Sequence, residues 1–104
     1  MHDLQQIIEN AWNDRSLLQD GTTLNAINEV ITLLDLGKLR VAQPTESGWQ
    51  VNDWVKKAVI LYFPTQKMET IEVGPFEFHD KMPLKKNYAD LGVRVVPHAI
   101  ARKG

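Results

Sequence analysis

The stretch Gly48–Pro64, GWQVNDWVKKAVILYFP, changes its apolar periodicity partway along, and that change decides the fold class. Trp49 to Val51 reads as a short strand, while the turn formers Pro44-Thr45-Glu46-Ser47-Gly48 precede it. With Leu39 to Ala42 on their far side, these residues predict a β-hairpin with a loop of roughly five or six residues. Beyond Val51 the pattern is helical. Asn52 and Asp53 can cap, and Trp54, Val55, Ala58, Val59 and Tyr62 share one face until Pro64, which lacks a backbone N–H and halts the helix. Strand and helix therefore adjoin without the βαβ repeat or glycine fingerprint of a parallel sheet, which makes α+β the expected class.

Working towards the amino terminus, Leu24, Ile27, Val30, Ile31 and Leu34 predict a second helix, capped by Thr23 and stopped by Gly37. Ahead of it Leu4, Ile7, Ile8, Ala11, Trp12 and Leu18 form the stripe of a first helix, with Asp3 as cap and Gly21 as terminator. Towards the carboxyl terminus, Met68 to Val73 alternates apolar and polar residues as a strand does, and Gly74-Pro75 turns the chain before Phe76 and Phe78. Val93 to Val96 predicts one more short strand. The closing residues, 98–104, are too few to build an element and read as the beginning of something further.

Composition sets outer limits. The chain has 104 residues, 43% hydrophobic and 24% charged, the balance of an ordinary globular domain with one core. Its net charge of −1 argues against nucleic acid as principal ligand, because phosphate backbones are bound through an excess of Lys and Arg. It has no cysteine, so disulfides and thiolate zinc sites are excluded. Met1 to Asn10 lacks the basic and apolar blocks of a signal peptide, and the longest apolar run, Ala58 to Phe63, falls far short of the ~20 residues that cross a bilayer. A cytoplasmic protein without membrane or nucleic-acid partners is expected.

Few residues suggest chemistry. His2, His79 and His98 have no second His or Cys at metal-ligand spacing, so no metal is expected. His79-Asp80 resembles a base with its orienting acid, but neighbours on a strand point to opposite faces. Ser16 and Ser47 lack the glycines and strained turn of a nucleophile elbow. Lys56, Lys57, Lys81, Lys85 and Lys86 could attract an anion, although short lysine clusters are more often solvated surface. Trp12, Trp49 and Trp54 fit helix or hairpin packing better than a stacking platform. Arg94 stands between Val93 and Val95, where an arginine must be paired or face outward; both are more common than ligand binding.

Four stretches in order, ITLLDLGKLRVA (Ile31–Ala42), GWQVNDWVKKAVIL (Gly48–Leu61), FHDKMPLK (Phe78–Lys85) and GVRVVP (Gly92–Pro97), together with LQQIIENAW at Leu4–Trp12, are similar to the amino-terminal domain of the tetrahydrodipicolinate N-succinyltransferase family. The resemblance spans nearly the whole chain. It implies an α+β domain over residues 1–97 that precedes a left-handed parallel β-helix of hexapeptide repeats, with 98–104 as the start of that β-helix. It also implies a homotrimer, and transfer of a succinyl group from succinyl-CoA to a dicarboxylate substrate on the diaminopimelate route to lysine. By the GVRVVP motif Arg94 matches a substrate-binding arginine, with Met82, Lys81 and Lys85 as further candidates for the same cleft. No catalytic residue and no bound cofactor are expected within the chain, which alone should be inactive. The competing expectation is a stand-alone, non-catalytic binding or assembly module.

Overall fold

The computed structural model describes residues 2–104. Three helices form its body: α1 (His2–Asn13), α2 (Gly21–Asp35) and α3 (Asp53–Tyr62). Each packs on the other two. Ile8 and Ala11 from α1, Ala26, Ile27, Val30 and Ile31 from α2, and Trp54, Val55, Ala58, Leu61 and Tyr62 from α3 are buried together, joined by Leu39 and Met82. Ile8, Ile27, Val30, Val55 and Leu61 are sealed completely. Each such side chain contributes roughly 1.5–3 kcal/mol of burial, so this cluster carries most of the domain's stability.

The helix ends depart from the sequence expectation in informative ways. Helix α1 already includes His2 and stops at Asn13, and Leu18 belongs to a separate 3-10 turn, Arg15–Gln19. Asp14 makes that break, because its carboxylate accepts from the Ser16 amide at 3.1 Å and the Ser16 hydroxyl at 2.6 Å. Gly21 does not terminate α1; it opens α2, with Asp20 at the cap position. Thr23 is consequently inside the helix, buried, with its hydroxyl 3.4 Å from Asp20 Oδ2. At the other end Gly37 acts as expected. It sits at φ +73°, and the amides of Gly37 and Lys38 bond the carbonyls of Leu34 and Leu33. Those two bonds satisfy carbonyls that the helix leaves open.

Two hairpins project from the helical body. Strands β1 (Ala42–Thr45) and β2 (Gly48–Val51) pair with Thr45 opposite Gly48, so the turn contains only Glu46 and Ser47. The longer loop expected from Pro44 is corrected: Pro44 lies within β1, opposite Trp49. A two-stranded sheet leaves every strand one unpaired edge, which tolerates a residue without N–H. Asn52 takes the cap position of α3, yet its side chain does not cap the helix. Instead its Nδ2 donates to the Arg40 carbonyl at 2.8 Å and to Gln43 Oε1 at 3.2 Å, which ties the hairpin to the helix.

After a 3-10 turn at Phe63–Thr65, β3 (Glu69–Val73) and β4 (Phe76–Asp80) form the second hairpin around Gly74-Pro75, as the alternation predicts. The expected strand at Val93 to Val96 does not form. Valines favour extended backbone, but a strand also needs a neighbour to bond, and this run pairs with nothing among the described residues. The Val93 amide turns back to the Tyr88 carbonyl at 2.8 Å, closing a short helix, α4 (Tyr88–Leu91), that the sequence reading did not foresee.

The result is flat and open. Its extents are 44 × 38 × 18 Å and its radius of gyration is 15.6 Å, against about 13 Å for a compact chain of this length. Its accessible surface is 7514 Å², whereas a compact 11.9-kDa monomer exposes about 6,000 Å². The hairpins account for much of the surplus. Alternation puts Ile71, Phe78, Val73 and Phe76 on one face of β3–β4, and all four are exposed. Trp49 was expected to pack; it is 72% exposed, because no second layer covers its hairpin.

Candidate functional site

Arg94 lies in the segment between Lys85 and Ala101, whose two ends are fastened together. The Lys85 amide donates to the Ala101 carbonyl and the Lys103 amide to the Pro83 carbonyl, both at 2.9 Å, with Leu84 bridged to Arg102 between them. Inside the segment Asn87 and His98 adopt positive φ, +62° and +74°, conformations that cost non-glycine residues energy and persist only where the surroundings enforce them. The Arg94 side chain is exposed. No carboxylate lies within ion-pair distance of it among the described residues. A guanidinium in this state keeps its planar fork available for two parallel hydrogen bonds to a carboxylate.

The structure separates the other candidates. Lys81 and Met82 come together at a cleft of ≈ 280 Å³ below the β3–β4 hairpin, bordered also by Lys67, Glu69 and Asp80. Met82 is mostly buried and belongs to the core as much as to the cleft. Neither Arg94 nor Lys85 borders that cleft. Lys85 is engaged elsewhere: its ammonium donates to the carbonyl of Asp35 at 2.7 Å and to Asp35 Oδ1 at 2.9 Å, in a half-buried setting. The geometry gives this lysine a partner inside the domain.

Asp35 is the residue that sequence reasoning missed. It ends α2, where the helix dipole is negative and an acid is disfavoured. An acid at that position is a legible signal that cations must face it, and Lys85 does so. The carboxylate also accepts from the Gly104 amide at 2.9 Å. Burial by itself raises the Asp35 pKa, but the Gly104 amide, the Lys85 ammonium and the charge of Lys103 outweigh burial and hold it below the usual 3.8. Arg102 was also missed; it reaches Asp80 at 3.7 Å and lies 5.8 Å from the Phe63 ring.

The remaining polar residues have structural partners. His79 Nδ1 is 2.9 Å from the Thr70 hydroxyl on one face of the second hairpin, while Asp80 occupies the other face with Glu69. They do not form a dyad. Ser16 serves the Asp14 turn and Ser47 lies in the first hairpin turn. Arg15 and Lys57 approach the Trp12 ring at 4.8 and 5.8 Å. Among the described residues no three His, Cys, Asp or Glu side chains converge as metal ligands do, and no helix is long and apolar enough to cross a membrane.

Residues 3–65 match the family described as "Tetrahydrodipicolinate N-succinyltransferase N-terminal". Several curated proteins are similar over essentially the whole chain. A 2,3,4,5-tetrahydropyridine-2,6-dicarboxylate N-succinyltransferase of Bordetella petrii is 47% identical across 98% of the chain. Enzymes of the same name from Coxiella burnetii and Legionella pneumophila are each 42% identical across 100% of it. The chain spans 41% of the length of each of these relatives.

Proposed function

The chain belongs to the tetrahydrodipicolinate N-succinyltransferase amino-terminal family, and on that premise we propose that it is the substrate-gripping, non-catalytic domain of such an enzyme. The whole enzyme transfers a succinyl group from succinyl-CoA to the amine of the ring-opened dicarboxylate. The amine attacks the thioester carbonyl, the tetrahedral oxyanion collapses, and CoA leaves as the thiol while an amide forms. That chemistry needs a base for the amine proton, donors for the oxyanion, and cations for the substrate carboxylates. This chain supplies a cation of the third kind.

The observation that carries the reading is the unpaired, exposed guanidinium of Arg94 on a segment held at both ends. Lys81 and Met82, at the cleft bordered by Glu69 and Asp80, are weaker contributors, and Lys85 contributes through its partner Asp35. Residues 1–97 form the domain proper in this reading, with 98–104 leading into a β-helix of hexapeptide repeats, and the enzyme is a cytoplasmic homotrimer. The surplus of exposed surface, about 1,500 Å² on this one chain, supports packing against such neighbours, since each partner of a standard interface contributes only about 800 Å².

Steady-state kinetics of the whole enzyme test the assignment. Arg94→Lys keeps the charge and loses the fork, so KM for the dicarboxylate should rise roughly tenfold, the loss of one charge-assisted hydrogen bond of about 1.5 kcal/mol. An unchanged KM removes Arg94 from the site. The chain alone, incubated with both substrates, should release no CoA thiol; turnover would overturn the division of labour.

A further inference from the structure

We propose that Asp35 and Lys85 are positioning residues for Arg94, forming a clasp that fixes the segment on which the guanidinium is carried. This deepens the reading of Arg94 given above and rests on it. Lys85 is the last residue before the segment, and its backbone amide holds the far end through Ala101. Its ammonium reaches back across the domain to both the carbonyl and the carboxylate of Asp35. Asp35 in turn holds the Gly104 amide. One carboxylate at the end of a core helix thus secures both the entry and the exit of the Arg94 segment.

The arrangement has a physical purpose that core packing does not explain. The segment itself is nearly all exposed, with only Lys86–Ile100 positions such as Tyr88, Leu91 and Val95 half-buried, so little apolar burial holds its shape. It also contains two non-glycine residues at positive φ, a conformation that Asn and His adopt more readily than most residues but still at some energetic cost. Tying the ends in advance removes loop-closure entropy that a ligand would otherwise have to overcome. The half-buried ion pair is suited to this, because a charged partner left alone there is costly and the pair has one geometry.

The test uses the chain in solution with pimelate, a seven-carbon dicarboxylate, as probe, followed by NMR at the Arg94 Nε–H resonance. Asp35→Asn and Lys85→Met should shift that resonance in the ligand-free chain, speed exchange of the Lys85, Lys103 and Gly104 amides about tenfold or more, and weaken pimelate binding several-fold. Amides of the Val55–Leu61 core should exchange as before. Lys85→Arg, which can still bond the Asp35 carbonyl and carboxylate, should restore binding, an outcome that general loss of stability does not give. If both clasp variants leave the ligand-free Arg94 resonance and the pimelate affinity unchanged, the clasp has no positioning role. Failure of the underlying reading looks different: pimelate then binds the Arg94→Ala chain as it binds the unaltered one, whereas failure of the clasp alone leaves binding dependent on Arg94 and indifferent to Asp35 and Lys85.

Discussion

Ile71 stands directly opposite Phe78 on the second hairpin, and both side chains face solvent, 38% and 42% exposed. Cross-strand apolar pairs are the unit of sheet stability, yet a two-stranded hairpin with an uncovered apolar face is marginal by itself. Phe78→Ser should therefore destabilise the isolated chain by roughly 1–2 kcal/mol, less than a sealed core phenylalanine, because the ring is only partly covered. It should lower self-association of the chain at high concentration, read by sedimentation. Association unchanged by this substitution would mean that the apolar face is not what makes the surface adhesive.

Asn52 behaves in the opposite manner. It is 8% exposed and connects Arg40, Gln43 and Gln50 through its side chain. Asn52→Ala leaves the Arg40 carbonyl without that donor, at a cost of roughly 1–3 kcal/mol. Denaturant melts should show the loss, and a variant as stable as the unaltered chain would show that water replaces the amide at no cost.

Gly37 isolates a purely conformational effect. A Cβ added there meets nothing within 4 Å, so sterics with neighbours are absent and only the positive φ of +73° matters. Gly37→Ala should cost roughly 1–2 kcal/mol, the penalty for a left-handed non-glycine residue. A thermal melt that does not move would indicate that α2 ends differently in solution.

The acid limb of stability should carry the signature of Asp35. Its folded pKa is depressed, so near pH 4 the unfolded chain binds more protons than the folded one and stability rises with pH. The contribution is complete above the unfolded pKa, about 3.9, and is lost as pH falls through the lower folded value. Asp35→Asn should be less stable than the unaltered chain at neutral pH, and the difference should shrink below about pH 4. A constant difference between pH 7 and pH 2.5 would contradict the Lys85 and Gly104 contacts.

Much of the fold was legible because the signals are local. The stripes of α2 and α3, the stop at Gly37 and the Gly74-Pro75 turn each depend on residues within a few positions of one another. Where the reading went astray, a competing local bond had intervened: Asp14 captured Ser16 and cut α1 short, and Asn52 was drawn to the hairpin instead of the helix amides. Val93–Val96 shows a different limit. Side-chain shape favours extension there, but pairing depends on what lies alongside.

The candidate site divides along the same line. Arg94 was visible as a charge among valines, and GVRVVP is one of several stretches that together carry the resemblance, so the residue and the family are legible in the sequence alone. That Lys85 is bound to Asp35, fifty positions away, that Lys81 and Met82 share a cleft apart from both, and that Gly104 returns to the end of α2 were decided by the tertiary structure. Periodicity and capping act over one or two turns of chain, whereas an ion pair across the domain forms only after the helices have packed and brought its partners within reach.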